Sequence, residues 1–224
     1  ASDWSSDVCS SDLHLTDNVA ELTPFVIWAL SGGRFPLALS VLQVLALDIG
    51  TDILPALALG VEPPRAGILR DPPPRQHLLD RALLSRVFLL LGPIEAVVEM
   101  GAFIAVLLAA GWQVGQAFLD GPVLAAASGA AFAAVVLGQA GNALACRSTT
   151  RWIGALGWVT NPVIIWALVS QLIMLVCFLT IPPLADVLGH IPPPAVGWIV
   201  AAMAPLLVLA GDSLDKWQRR RVRS

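Results

Sequence analysis

Long apolar runs recur along this chain, and they constrain its fold more than any other feature. The longest lie at residues 38–60, 86–112, 121–146 and 153–180. A helix of about 20 residues crosses the ~30 Å hydrocarbon core of a bilayer, so each run is long enough to do so. None of them alternates in the way that a lipid-facing barrel strand would. The sequence therefore predicts an all-α, polytopic membrane helix bundle.

Two shorter apolar segments, residues 16–33 and 196–211, raise the predicted number of membrane helices to six. The composition supports this interpretation, because 57% of the residues are hydrophobic and 13% are charged, whereas soluble domains carry about 25% charged residues. We predict three parts: a polar tail at residues 1–13, a membrane domain at residues 14–215 and a basic tail at residues 216–224.

The polar tail differs in composition from everything that follows it. It is rich in Ser and Asp, and it lacks the basic start and apolar centre of a signal peptide. Such a composition predicts a disordered acidic tail, but DWSSDVCSSDL, residues 3–13, resembles the translation of a sequencing adapter. We therefore expect these residues to be artefactual. Cys9, Cys146 and Cys177 lack the spacing of a disulfide framework or a zinc site.

Two carboxylates interrupt the second apolar run, in the sequence LDIGTDILPALALG. A charge at the centre of a bilayer costs roughly 2.5–3.5 kcal/mol, so Asp48 and Asp52 need compensation. Thr51 shares their side of a helix, while Gly50 and Pro55 favour an irregular backbone whose carbonyl oxygens are free. Oxygen ligands suit hard cations. The stretch therefore predicts a cation site.

Two further polar pairs lie at helical spacing in other predicted spans. Asn18 and Glu21 share a helix face ahead of Pro24, and they belong either to the same site or to the water interface of a short helix. Gln139 and Asn142, near the end of the fourth span, either complete a polar cage or form hydrogen bonds between helices.

The third span contains two acids, Glu95 and Glu99, one helical turn apart. Because charged groups avoid lipid, we expect both to face the interior of the bundle, to stay protonated, or both. A structural hydrogen bond to a neighbouring helix and a part in ion transfer are equally open for this pair.

The basic residues predict an orientation in the membrane. Of the thirteen Lys and Arg residues, five lie in residues 65–86, two in residues 147–151 and five in residues 216–223, and only Arg34 lies elsewhere. Six spans place these three segments on the same side. Since basic loops favour the cytoplasmic side, we expect a multi-pass cell-membrane protein with both termini in the cytoplasm.

Several motifs in the same order resemble the C-terminal membrane region of a P-type cation-transporting ATPase. They are NVAELTPF, LDIGTDILPALALGVEPP, DPPPR, QAGNALACRS and NPVIIWALVSQLIMLVCFLTIPPL, and the resemblance runs from about His14 to the end of the chain. It implies that the six helices are the fifth to tenth spans of a ten-span pump. The cation-site positions that it implies are Asn18, Glu21, Asp48, Thr51, Asp52, Gln139 and Asn142.

The resemblance also implies parts that this chain does not contain. A DKTG sequence with its phosphorylated aspartate, the domains that bind ATP and Mg²⁺, and a fourth span with a further acidic ligand do not occur in it. We therefore expect the chain to be inactive by itself. Its implied partners are the lipid bilayer, the preceding spans and the cytoplasmic domains of the parent pump, which the Pro-rich connector at residues 61–75 would face, and no nucleic acid is implied.

The transported cation stays open between Ca²⁺ and Na⁺/K⁺. The sequence LDIGTD and the pair Gln139 and Asn142 are closer to sodium/potassium-type pumps, whereas the number of carboxylates suits Ca²⁺, which takes 6–8 oxygen ligands. The predicted spans lack the Cys-Pro-Cys pair that soft metals would need. Two other classes are open: a stand-alone six-span channel or scaffold without ATPase activity, and a polytopic protein whose buried acids only bond neighbouring helices.

Overall fold

The structure, a computed structural model of the 224-residue chain, describes residues 4–61, 81–148, 154 and 161–223. Most of the predicted connector and the start of the predicted fifth span lie outside these residues. Every regular element in the described part is a helix, as the sequence predicts. The elements are α1 Trp4–Leu30, α2 Val41–Leu47, α3 Ile53–Gly60, α4 Arg81–Arg86, α5 Gly92–Ala109, α6 Pro122–Cys146, α7 Pro162–Thr180, α8 Pro182–Leu188, α9 Ala195–Ala201 and α10 Met203–Arg223, with π-helical turns at Asp48–Asp52 and Val87–Leu91.

Five helical segments of the described chain are long and apolar enough to cross a membrane, and they correspond to the second to sixth predicted spans. Helix α1 covers the first predicted span but is not among the five, since Asp17, Asn18 and Glu21 make its centre polar. The five segments are Val41–Gly60, Leu83–Ala109, Pro122–Cys146, Pro162–Thr180 and Ala195–Arg219.

The second span is continuous but irregular, as Gly50 and Pro55 predict. Its middle, Asp48–Asp52, is a π-helical turn. Proline has no N–H, and its ring crowds the carbonyl group four residues earlier, which here belongs to Thr51. A wider turn accommodates this crowding and interrupts the regular hydrogen-bond ladder where the two aspartates lie. The second π-helical turn likewise comes just before a proline, Pro93.

Helix α6 is the centre of the bundle. It packs against α1, α3, α5, α7, α9 and α10. In its most apolar stretch 72% of the residues are buried, compared with 28% for α7. A Cβ atom on Gly141 would lie 2.7 Å from the Cα of Pro205 in α10, so only glycine allows this approach. The Ala- and Gly-rich composition of α6 therefore permits close helix contact, as predicted.

The sixth span is longer than the sequence predicts. A break at Ala202 separates α9 from α10, because Pro205 cannot donate a hydrogen bond to the carbonyl of Ala201. Helix α10 then continues to Arg223, so most of the predicted basic tail is helical. Similarly, the segment expected to be artefactual is described from Trp4 as the start of α1; its origin stays a prediction.

A buried ion cluster joins three spans at one end of the bundle. Asp212 of α10 pairs with Arg86 of α4 and with Lys216 one turn further along α10. Lys216 also donates a hydrogen bond to the carbonyl of Ala145 in α6, at 2.9 Å. Arg86 makes a further ion pair with Asp12. The cluster therefore ties the start of the third span to the ends of the fourth and sixth.

A buried polar cluster lies at the opposite end of α6. The Nε2 of Gln43 lies 2.9 Å from the hydroxyl of Ser128 and 2.8 Å from Nδ1 of His190. The other ring nitrogen of His190 is 3.2 Å from the carbonyl of Phe178. A neutral imidazole fits both contacts, since Nε2–H can donate to the carbonyl while Nδ1 accepts from the amide. The segment between α8 and α9 is thereby attached to α2 and α6.

Acidification should weaken this cluster. Burial lowers the pKa of His190 from its ordinary value of 6.5. As the pH falls, His190 therefore binds a proton in the unfolded chain at a higher pH than in the folded chain. The free energy of unfolding should therefore be fully retained above about pH 6.5 and decrease below it, by at most about 1.4 kcal/mol per pH unit. Thermal unfolding of the wild type and of His190→Gln across this range measures the effect. The free energy of unfolding of the variant should decrease less per pH unit than that of the wild type, and an equal decrease would contradict the prediction.

Candidate cation site

Gln139 is the hub of a buried polar cluster between α1, α6, α7 and the π-helical turn. Its Nε2 donates to Oε1 of Glu21 in α1, at 3.2 Å. Its Oε1 lies 3.0 Å from the hydroxyl of Thr51 and 3.4 Å from Nε2 of Gln171 in α7. All four side chains are buried. A single amide of α6 therefore connects polar groups from three other elements.

Two carboxylates flank this hub, each with a free oxygen. Asp52 follows Thr51 in the π-helical turn, and its Oδ2 lies 3.1 Å from Nδ1 of His14. Asn142, one turn after Gln139, donates from Nδ2 to Oδ1 of Asp17, at 3.1 Å. The remaining oxygens, Oδ1 of Asp52 and Oδ2 of Asp17, are buried and have no hydrogen-bond partner in the described part of the chain. Burying an oxygen without a hydrogen-bond partner destabilises the fold, and a bound ligand would offset this cost.

Most of the predicted site residues come together, but two do not. Glu21, Thr51, Asp52, Gln139 and Asn142 are buried around the hub. Asn18 and Asp48 are exposed. The Nδ2 of Asn18 donates to the carbonyl of His14, at 2.6 Å, so its side chain turns back onto its own helix.

Sequence reasoning missed three members of the cluster: His14, Asp17 and Gln171. The spacing of Asp17 contained a usable signal, because it lies four residues before Glu21 and so shares its helix face. Gln171 was also detectable, as an isolated amide in an otherwise apolar span. No comparable signal marks His14, because its partner Asp52 lies in another helix.

The cluster offers oxygen atoms of three kinds: carboxylate, amide and hydroxyl. Hard cations prefer such ligands. No three His, Cys, Asp or Glu side chains in the described residues are placed to hold a metal ion by themselves. A cation bound here would therefore need amide, hydroxyl or backbone oxygens beside the carboxylates.

The family of this helix bundle follows from its similarity to known proteins. Residues 36–218 match the family described as "Cation transporting ATPase, C-terminus". The chain belongs to the C-terminal membrane region of the P-type cation-transporting ATPases. The family predicted from the sequence motifs is thus confirmed, and the apolar helices are those of a multi-pass membrane protein.

Two kinds of ATPase are among the similar proteins. Calcium-transporting ATPase 1 of Bacillus cereus is 29% identical over 185 residues, which are 78% of this chain and 20% of that protein. The sodium/potassium-transporting ATPase subunit alpha-3 of Rattus norvegicus is 30% identical over 105 residues, 46% of this chain and 10% of the relative. The chain therefore spans about a fifth or less of the length of these relatives.

Proposed function

We propose that this chain is the membrane-embedded, cation-binding part of an ATP-driven pump for Ca²⁺ or a monovalent cation. The observation that carries the proposal is the buried cluster around Gln139, in which a carboxylate, a hydroxyl and amides from four elements meet inside an apolar bundle. Such groups are rarely placed at membrane depth without a role in binding or transport. The similarity to ATPases named for calcium and for sodium and potassium supports the same class of cargo.

The energy for transport would come from outside this chain. We propose that ATP, Mg²⁺ and the phosphorylated aspartate belong to domains of the parent pump, so that this chain alone is inactive. Its π-helical turn suits a moving part, because the hydrogen-bond ladder of the second span is already interrupted at Asp48–Asp52. A small shift of α3 relative to α2 would move Asp52 relative to the Gln139 hub and so change the affinity for the cation.

The two exposed site residues have a place in this proposal. Asn18 and Asp48 are exposed on the described bundle, so the preceding spans of the parent pump would have room to pack against them. The basic segments support a cytoplasmic location for both termini. In that orientation the ion cluster of Arg86, Asp212 and Lys216 lies near the cytoplasmic surface, and α8 lies near the opposite one.

Replacing Asp52 by Asn tests the proposal with little change in shape. The substitution removes the charge of a carboxylate whose Oδ1 has no hydrogen-bond partner among the described residues. In the full-length pump, Asp52→Asn should abolish ion-stimulated phosphorylation, and in the isolated chain it should weaken binding of ⁴⁵Ca²⁺ or ²²Na⁺ by about 100-fold, since affinity follows the charge of the ligand set.

Asp186→Asn, at an exposed position of α8, is the matched control and should behave like the wild type. Normal ion stimulation of Asp52→Asn would refute the proposal. Ion flux through the chain alone in liposomes, without ATP, would favour the channel alternative instead.

A further inference from the structure

Glu95 of α5 is a buried acid that the site described above does not use. It is 2% exposed, and neither of its carboxylate oxygens has a hydrogen-bond partner in the described part of the chain. The structural role that the sequence left open, a hydrogen bond to a neighbouring helix, is therefore not observed there. A carboxylate in an apolar bundle without donors is strongly unfavourable unless a positive ion or a proton accompanies it.

The charged groups that act on Glu95 are themselves acids. They are Asp52 in the π-helical turn, which acts on Glu95 electrostatically, and Asp17 in α1. In the described part of the chain, Asp17 and Asp52 each have one oxygen without a hydrogen-bond partner, and Glu95 has two. Two ionised carboxylates cannot hydrogen-bond to each other. Asp17 and Glu95 therefore repel each other unless a proton or a bound cation lies between them.

Two glycines allow Glu95 to lie close to the Gln139 hub and α5 to lie close to α1. A Cβ atom on Gly138, directly before Gln139, would lie 3.3 Å from Cγ of Glu95, so the absence of a side chain leaves space for Glu95 beside the hub. A Cβ atom on Gly92 would lie 2.6 Å from the Cβ of Val19. Glycine at this position lets α1 pack directly against α5, the helix that carries Glu95.

We propose, on the basis of the function proposed above, that the cation site extends onto α5 and that Glu95 and Asp17 are ligands of a hard cation such as Ca²⁺ or Na⁺. Carboxylates bind such ions through one or both oxygens. Asn142 holds Asp17 in position through the 3.1 Å hydrogen bond to Oδ1, which leaves Oδ2 available. Two carboxylates with amide and backbone oxygens also agree with the lack of three converging acids in the described chain.

Glu99 provides a matched control within the same helix. It lies four residues after Glu95, and it is also buried with no hydrogen-bond partner among the described residues. The acids that act on it are Glu21 and Glu95, not Asp17. Glu99→Gln therefore removes the same charge from the same helix without removing a proposed ligand.

The test measures how CaCl₂, and separately NaCl against choline chloride, raise the thermal unfolding midpoint of the chain in detergent micelles. Ion binding to the folded state stabilises it by RT ln(1 + c/Kd), where c is the ion concentration, so a weaker site needs a higher ion concentration for the same rise in the midpoint. Glu95→Gln should need an ion concentration at least about tenfold higher than the wild type, and Glu99→Gln less than about threefold higher. If Glu95→Gln loses its helix content by circular dichroism, Asp17→Asn, which removes the partner ligand, tests the same site.

The outcomes separate this inference from the proposed function. If Glu95→Gln responds to the ions as the wild type does, the extension of the site onto α5 is overturned. It is also overturned if Glu95→Gln and Glu99→Gln need equally higher ion concentrations, because that result would indicate a general effect of charge. If Asp52→Asn abolishes the response while Glu95→Gln retains it, the proposed function stands and only the extension onto α5 fails. A wild-type chain that responds to neither Ca²⁺ nor Na⁺ contradicts both.

Discussion

Asp212→Ala should lower the free energy of unfolding by about 3–5 kcal/mol, because it removes the acid that two buried cations share. Arg86 and Lys216 both pair with Asp212, and all three side chains are buried. In the variant, Lys216 would keep the carbonyl of Ala145 as a hydrogen-bond acceptor but lose its charge partner. The expected result is a large decrease in stability, measured by reversible unfolding in mixed SDS and detergent micelles.

A second acid on α10 offers a close control for this prediction. Asp215 pairs with Arg219 at the same spacing, but the two side chains are 18% and 37% exposed, compared with 2% and 3% for Asp212 and Lys216. Water screens such a pair, so Asp215→Ala should cost less than about 1 kcal/mol. Equal decreases in the free energy of unfolding of the two variants would show that burial of the Asp212 cluster does not determine its contribution to stability.

Gln139→Leu should weaken cation binding by about 10–100-fold, the range found when a group that orients metal ligands is removed. Leucine fills a similar volume but offers no hydrogen bond, so Glu21 would lose its donor and Thr51 its contact across the helices. The expected result is a chain that still folds as a helical bundle but shows little ion-induced rise in its unfolding midpoint.

Gln43→Leu is the matched control for Gln139→Leu. Gln43 is also a buried glutamine that connects elements, through Ser128 and His190, but it lies in the cluster at the other end of the bundle. Both substitutions should lower the unfolding midpoint without ions, whereas only Gln139→Leu should lose the response to Ca²⁺ or Na⁺. A full response in Gln139→Leu, or its loss in both variants, would contradict a role of the hub in binding.

Much of the fold follows from local properties that sequence reasoning can use. The length of each apolar run predicts membrane helices because the thickness of the bilayer sets a minimum number of residues. The irregular middle of the second span follows from Gly50 and Pro55, since the missing N–H and the ring of proline act on the turn directly before it. The family also followed from motifs along the chain, without knowledge of which helices touch.

Packing decided which residues of the candidate site meet. Sequence spacing placed Asn18 beside Glu21, yet Asn18 is exposed, while its neighbour Asp17 turns inward to Asn142. Glu95 lies beside the Gln139 hub because Gly138 leaves space for it, and Gly92 lets α1 pack closely against α5. Helical periodicity identifies residues that share a face, but it does not say which neighbouring helix that face meets.

The sequence by itself determined a helical membrane bundle, an irregular acidic span and the ATPase family, because these depend on local composition and on motifs read in order. Only the tertiary structure decided the partners of the buried polar groups. Arg86 and Asp212 are separated by 126 positions, and Gln139 and Glu21 by 118. In an apolar bundle a buried charge or amide is stable only beside a complementary group, and the packing of α6 against its neighbours selects that group.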